Sequence, residues 1–308
     1  MTNRRGIRAI LLAGAYIVMH VTIAGAQSLA LEFEAAEALP NFDIDGSPAR
    51  VHSQGLFVTE QHYYVTGRLE TTLRRALLLR FERQHPATVE FVDITPKTES
   101  TGGDMRLDHP GGFDSDGNAF WIPVSASRPH SRTVVLRFPV QPDKPLAESA
   151  SEIALAVDDH IGAIAYDRAG KRLYGANWDT KVIYCWQSDG TLEKKISQGE
   201  LIRGDRDWAL AVQDWKGIDG GRILAGGIDK ASNCAPDESP ATVALLDLPQ
   251  RIQLAATRLP RPAGTPHAVT REGLAVFGDR MFFLPDDLGQ NAHVFRYRWK
   301  RAPKSIAH

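Results

Sequence analysis

The chain has 308 residues, long enough for one sizeable core, with 36 basic and 37 acidic side chains and a formal charge of −1. That balance gives no reason to expect a nucleic acid partner. Cysteine is sparse, Cys185 and Cys234 alone, so at most one disulfide could form.

The first 26 residues read as a signal peptide. Arg4, Arg5 and Arg8 form a basic start, Ala9 to Ile23 is an apolar run, and Ala24-Gly25-Ala26 supplies small residues for cleavage. The run falls short of the roughly twenty residues that span a bilayer, and no second hydrophobic segment follows. The expectation is cleavage after Ala26, one domain over residues 27–308 in the periplasm or outside the cell, and no stable membrane insertion. Without the three leader arginines the balance shifts to 33 basic against 37 acidic residues, a charge of −4. Export would permit a disulfide, but Cys185 sits inside an apolar strand pattern, Val182 to Trp186, where a buried free thiol is ordinary.

Five repeats organise the rest. His52-Ser-Gln-Gly-Leu56 precedes strand-like Tyr63–Thr66 and Ala76–Phe81. His109-Pro-Gly-Gly-Phe113 precedes Ala119–Val124 and Thr133–Phe138, and His160-Ile-Gly-Ala-Ile164 precedes Arg172–Ala176 and Lys181–Trp186. A more worn copy runs from Arg206-Asp-Trp-Ala-Leu210 through Arg222–Ala225 to Thr242–Leu246. The last runs from Thr270-Arg-Glu-Gly-Leu274 through Arg280–Leu284 to His293–Trp299. Asp116-Gly117, Ala169-Gly170 and Gly278-Asp279 suit hairpin turns, and short Val, Ile, Tyr and Phe runs are strand vocabulary. Glu90–Ile94 and Ile153–Val157 would be outer fourth strands. The pattern predicts an all-β fold, a β-propeller of five blades with six as the alternative. Leu29–Phe33 would supply the outer strand of the last blade and close the ring.

In that register the repeat openings meet at one mouth of the central channel. His52, His109, His160, Arg206 and Thr270 lead, and Gln54, Gly111, Gly162, Trp208 and Glu272 follow two positions later on the same side of each strand. The metal expectation is His52, His109, His160 and Glu272, holding a divalent ion such as zinc or calcium. Equally, His109, His160 and Glu272 could serve as catalytic acid or base groups. The alternative for each histidine is a structural tether to a neighbouring carbonyl. Loops between the second and third strands should cover the same face. With Gln54 and Trp208, they bring Arg68, Arg128, Asn177, Trp178 and Asp286 as ligand-binding candidates for a small polar molecule.

The openings resemble a family of uncharacterised exported bacterial propeller proteins. The likeness lies in Gln54-Gly55-Leu56, in Asp108-His-Pro-Gly-Gly112 with Trp121-Ile-Pro-Val124, and in Asp159-His-Ile-Gly-Ala163 with Asn177-Trp178. It implies fold and export, without an activity. Gln54-Gly55-Leu56 followed by Tyr64-Val-Thr-Gly67 is similar to plant-type glutaminyl-peptide cyclotransferases, although Val65-Thr66 stands where those enzymes carry an acidic residue and a Ser-Thr pair. Three functions follow as expectations: a small-ligand or metal site, a metal-dependent hydrolase or cyclotransferase, and a non-catalytic module for an envelope protein or glycan.

Overall fold

The computed structural model describes residues 29–85, 88–96, 106–203, 206–230 and 240–300. The expected signal peptide and Cys234 lie outside them. The described residues form a five-bladed β-propeller. Blade one is Val51–Val58, His62–Leu69, Arg75–Glu82 and Val89–Asp93, in order from the channel outward. Blade three is Ile161–Asp167, Arg172–Asn177, Val182–Gln187 and Leu192–Ser197. Blade five is Gly273–Phe277, Arg280–Leu284 and His293–Lys300, completed by Ala30–Ala38 from the start of the chain. The N-terminal strand therefore closes the ring as expected.

Five hydrophobic clusters account for the blade number. Each joins two neighbouring blades, and the last joins blade five to blade one through Ala275, Phe282 and Leu284 against Leu56 and Leu79. Full burial of a large apolar side chain contributes roughly 1.5–3 kcal/mol, so these seams dominate the stability of the disc. The thiol of Cys185 is free and buried in one of them.

Two blades depart from the expected register. In blade two the innermost strand is broken into His109–Pro110 and Asp114–Ser115, ahead of Ala119–Ser125, Thr133–Pro139 and Glu152–Val157. Gly111 and Gly112 fill the break because a Cβ on Gly111 would stand 2.2 Å from the Gly162 carbonyl oxygen, and one on Gly112 2.5 Å from Asp214.

In blade four the innermost strand is Leu210–Asp219, followed by Arg222–Asp229, Ala241–Asp247 and Ile252–Arg258. Arg206–Asp207 instead pairs with Ile202–Arg203 at the outer edge. Trp208 is thus not at the channel mouth: its indole is buried against blades three and four with Cys185, Leu210 and Trp215. Apolar area decides this placement, since a buried indole is worth more in a blade seam than in a wet channel. No helix among the described residues is long and apolar enough to cross a membrane.

Candidate functional site

The mouth of the channel is a cavity of about 220 Å³ lined by His52, Gln54, His109, His160, Trp178 and Glu272, with Gly162, Asn177, Asp179, Val212 and Gln213. It is smaller than the roughly 300–1,000 Å³ of sites for drug-sized ligands, so it suits a small molecule. The openings of blades one, two and three bring His52, Gln54, His109 and His160 to the cavity, and blade five brings Glu272, while Thr270 is buried with its hydroxyl on the Gly227 carbonyl. Blade four contributes Val212 and Gln213 in place of Trp208, which the worn repeat had concealed.

The three imidazoles form an arc, His52 to His109 with ring centres 6.1 Å apart and His109 to His160 5.7 Å apart. Each is pinned through Nδ1 to a different partner. His52 Nδ1 lies 2.9 Å from Asp287 Oδ1. An Arg68 guanidinium nitrogen lies 3.0 Å from His109 Nδ1. His160 Nδ1 lies 2.9 Å from the Ala126 carbonyl oxygen. The carbonyl tether expected of each histidine is found at His160 alone; His52 and His109 are held by side chains instead, and all three rings line the cavity.

These partners set the protonation states. Burial opposes charge on His52, but Asp287 and Glu272 outweigh it and raise its pKa above the usual imidazole value. Burial, reinforced by the charge of Arg68, pushes His109 well below that value. Burial also lowers His160, against the backbone groups of Ala126 and Arg128. Glu272, only 4% exposed, is pushed up to about 8 by burial, although His52 and Arg271 pull it down. Gln54 Nε2 donates to Glu272 at 3.3 Å, and Arg271 Nε lies 3.1 Å from the other oxygen. Burial thus favours the protonated form of Glu272 and the neutral forms of His109 and His160, beside a His52 ring paired with Asp287.

A metal on the three histidines does not fit this arrangement. An arginine can only donate, so His109 Nδ1 must accept and its proton sits on Nε2, leaving neither ring nitrogen a free lone pair for a cation. Among the described residues the group that could hold a metal is His52, Glu272 and Asp287, whose ligand atoms lie within 4.8 Å of one another. Of the other ligand candidates, Asn177 is engaged by Asp159 and by the Val182 N–H. Asp286 is engaged by Thr265 and His267, and it is Asp287 that reaches His52. Arg128 is exposed, in the loop that holds His160. Trp178 is at the mouth, 38% exposed, its ring 4.7 Å from that of His160.

No curated protein matches the chain in sequence. Among solved structures the chain is similar to one from the GH130 family of mannoside phosphorylases, a family containing glycoside hydrolases that target β-1,2-mannosidic linkages in Candida mannan. The identity is 11% over 93% of this chain and 99% of that one, with a TM-score of 0.51. It is also similar to the GH43_1 enzyme from Xanthomonas citri complexed with xylotriose, 11% identical over 88% of this chain and 92% of that one, with a TM-score of 0.50. Likeness at this distance establishes the fold and not the chemistry. A family model matches residues 90–300, from the outer strand of blade one to the end of blade five, and the chain accordingly belongs to the family of unknown function DUF6454.

Proposed function

We propose that the channel mouth is the active site of an exported enzyme acting on a small polar molecule by general acid–base catalysis. The observation that carries this reading is the make-up of one cavity: a buried Glu272 carboxyl reached by Gln54 and Arg271, and two imidazoles whose Nδ1 atoms are fixed by Arg68 and Ala126. Burial raises the pKa of the carboxyl and lowers those of both rings. Environments that push titratable groups apart in this way divide them into acid and base. Glu272 is the proton donor. His160, whose Nδ1–H is committed to Ala126, offers Nε2 as the acceptor. In a hydrolysis, water loses its proton to His160 while the leaving oxygen takes the proton of Glu272; in a cyclisation an internal nucleophile replaces the water.

A metal centre on His52, Glu272 and Asp287 is the competing reading, and it requires Glu272 ionised and the His52–Asp287 hydrogen bond opened. A non-catalytic envelope-binding module is the other. The test is a panel of small lactones, esters and glycosides offered to the purified mature protein, alongside elemental analysis. Turnover of one class, reduced by about 100-fold or more in Glu272→Gln, is expected. Absence of turnover from every class overturns the acid–base reading, as does one equivalent of divalent metal that Glu272→Gln removes. Export is tested separately: the secreted product should begin at Gln27, and retention of Met1 would refute it.

A further inference from the structure

Three features of the mouth act together: a fixed donor, a fixed acceptor beside it, and an indole held in place by strained backbone. The donor is His109. Arg68 has no acceptor atom, so its contact with Nδ1 confines the His109 proton to Nε2. Arg68 is itself fixed by Glu70 at 2.6 Å and by Ser127, whose hydroxyl reaches Asp108. The acceptor is His160, where the Ala126 carbonyl takes the Nδ1 proton, so that the lone pair of the neutral ring is on Nε2.

The indole is Trp178. It opens a one-turn segment in which Asp179 and Thr180 have φ of +59° and +56°. A β-branched residue in that region is a genuine outlier, held only when its surroundings over-determine it. Here Thr180 is fully buried with its hydroxyl accepting the Val212 N–H at 2.9 Å, and Asp179 is paired with Lys230. The strained turn keeps Trp178 at the rim, against His160 and partly open to solvent.

Resting on the channel-mouth reading above, we infer that the cavity takes a single pyranose-sized sugar unit, its ring against Trp178 and two neighbouring hydroxyls between His109 and His160. A carboxylate only accepts hydrogen bonds and would set a lone pair against that of His160. An ammonium only donates and would meet the N–H of His109. A vicinal diol accepts at one ring and donates at the other, and its carbon skeleton supplies an apolar face for the indole. The size of the cavity limits the occupant to about one ring.

Saturation-transfer NMR of the full mature chain with methyl gluco-, galacto-, manno- and xylopyranoside tests the inference. At least one should bind through its ring protons. Trp178→Ala should abolish that signal, and Arg68→Met should weaken binding by tenfold or more. Arg68→Lys, which can still donate to Nδ1, should recover most of it. Nitrogen-15 NMR should report the His109 proton on Nε2 in the parent and a mixture of tautomers in Arg68→Met, a change that lost packing would not produce. The inference is overturned if no pyranoside binds at tens of millimolar, if Trp178→Ala binds as well as the parent, or if His109 carries its proton on Nδ1. Turnover of a lactone or ester without pyranoside binding would remove the sugar class and leave the acid–base site standing. Pyranoside binding with no turnover would do the reverse.

Discussion

Lys216 and Asp214, two positions apart on the innermost strand of blade four, form an ion pair at 2.5 Å with both side chains withdrawn from solvent. The free oxygen of Asp214 accepts the N–H of Leu56 at 3.0 Å and of Leu274 at 2.9 Å, and Lys216 donates to the Phe113 carbonyl at 2.7 Å. Asp114 repeats the device, accepting the N–H of Tyr166 and of Gly217. Between them, two carboxylates and one ammonium tie the innermost strands of all five blades beneath the cavity.

Breaking a buried pair leaves the remaining charge uncompensated, at a cost of about 3–5 kcal/mol. Asp214→Asn and Lys216→Met should each lower the melting temperature by roughly 10 °C. The double variant should lose less than the sum of the two, with a coupling of at least about 1 kcal/mol. Strict additivity in that thermal-denaturation cycle would remove the brace from the account of stability.

The raised pKa of Glu272 carries a signed pH dependence. A group whose pKa rises on folding contributes stability that is complete below its unfolded value, near 4.5, and is lost as pH climbs through about 8. The parent should therefore lose stability relative to Glu272→Gln progressively between about pH 4.5 and 8, a few kcal/mol in all, and the difference should level off above pH 8. Any activity that uses Glu272 as its acid should fall as pH climbs through about 8. Chemical denaturation of both proteins at pH 6, 8 and 9 checks the stability term, and parallel curves would contradict the burial argument.

Most of the fold was legible in the sequence because each blade repeats the same opening, and because Leu29–Phe33 has the pattern of a missing outer strand. The site was legible where the opening residue is a histidine or glutamate. It failed at blade four, where Trp208 occupies the position that alignment of the openings assigns to the channel. The spacing alone could not show that blade four begins its inner strand at Leu210, since the intervening residues form an edge hairpin. The expected metal set keeps His52 and Glu272 in a group that could hold an ion, with Asp287 added, and His109 departs from it for a different reason. Imidazole identity is readable in a sequence, but the Arg68 contact that fixes the His109 tautomer crosses from blade one to blade two and exists only in the fold.

The closing strand offers a third test. At Glu34 the pairing of Ala30–Ala38 with His293–Lys300 slips by one residue, and the carboxylate gathers Arg280 at 2.9 Å, Arg296 at 3.2 Å and Arg298 at 2.7 Å. Burial works against the charge, but Arg280 and Arg298 outweigh it and hold the Glu34 pKa below the usual carboxylate value. With the folded pKa lowered, the contribution is present above the unfolded value and disappears as pH falls through the folded one. Glu34→Gln should melt below the parent at pH 7, and the gap should close toward pH 3. Added salt should also narrow it. Hydrogen exchange should show Ala30–Ala38 opening first in the variant; uniform protection across the blades would count against a clasp at this strand.

Trp208 and Trp178 should respond in opposite ways. Trp208 is 1% exposed and fills the seam between those blades, so Trp208→Ala should cost about 3–5 kcal/mol. Its indole N–H is buried and has no hydrogen-bond partner among the described residues, so Trp208→Phe removes that unpaired donor along with part of the ring. The phenylalanine variant should therefore lose clearly less stability than the alanine variant, and ligand binding at the mouth should be unchanged in it. Trp178→Ala should do the converse, leaving the melting temperature within a degree or two of the parent while removing the binding surface beside His160. Melting curves and ligand titrations on the same four proteins decide the matter. Loss of binding in Trp208→Phe with a stable fold would return that residue to the channel, where the repeat spacing had placed it.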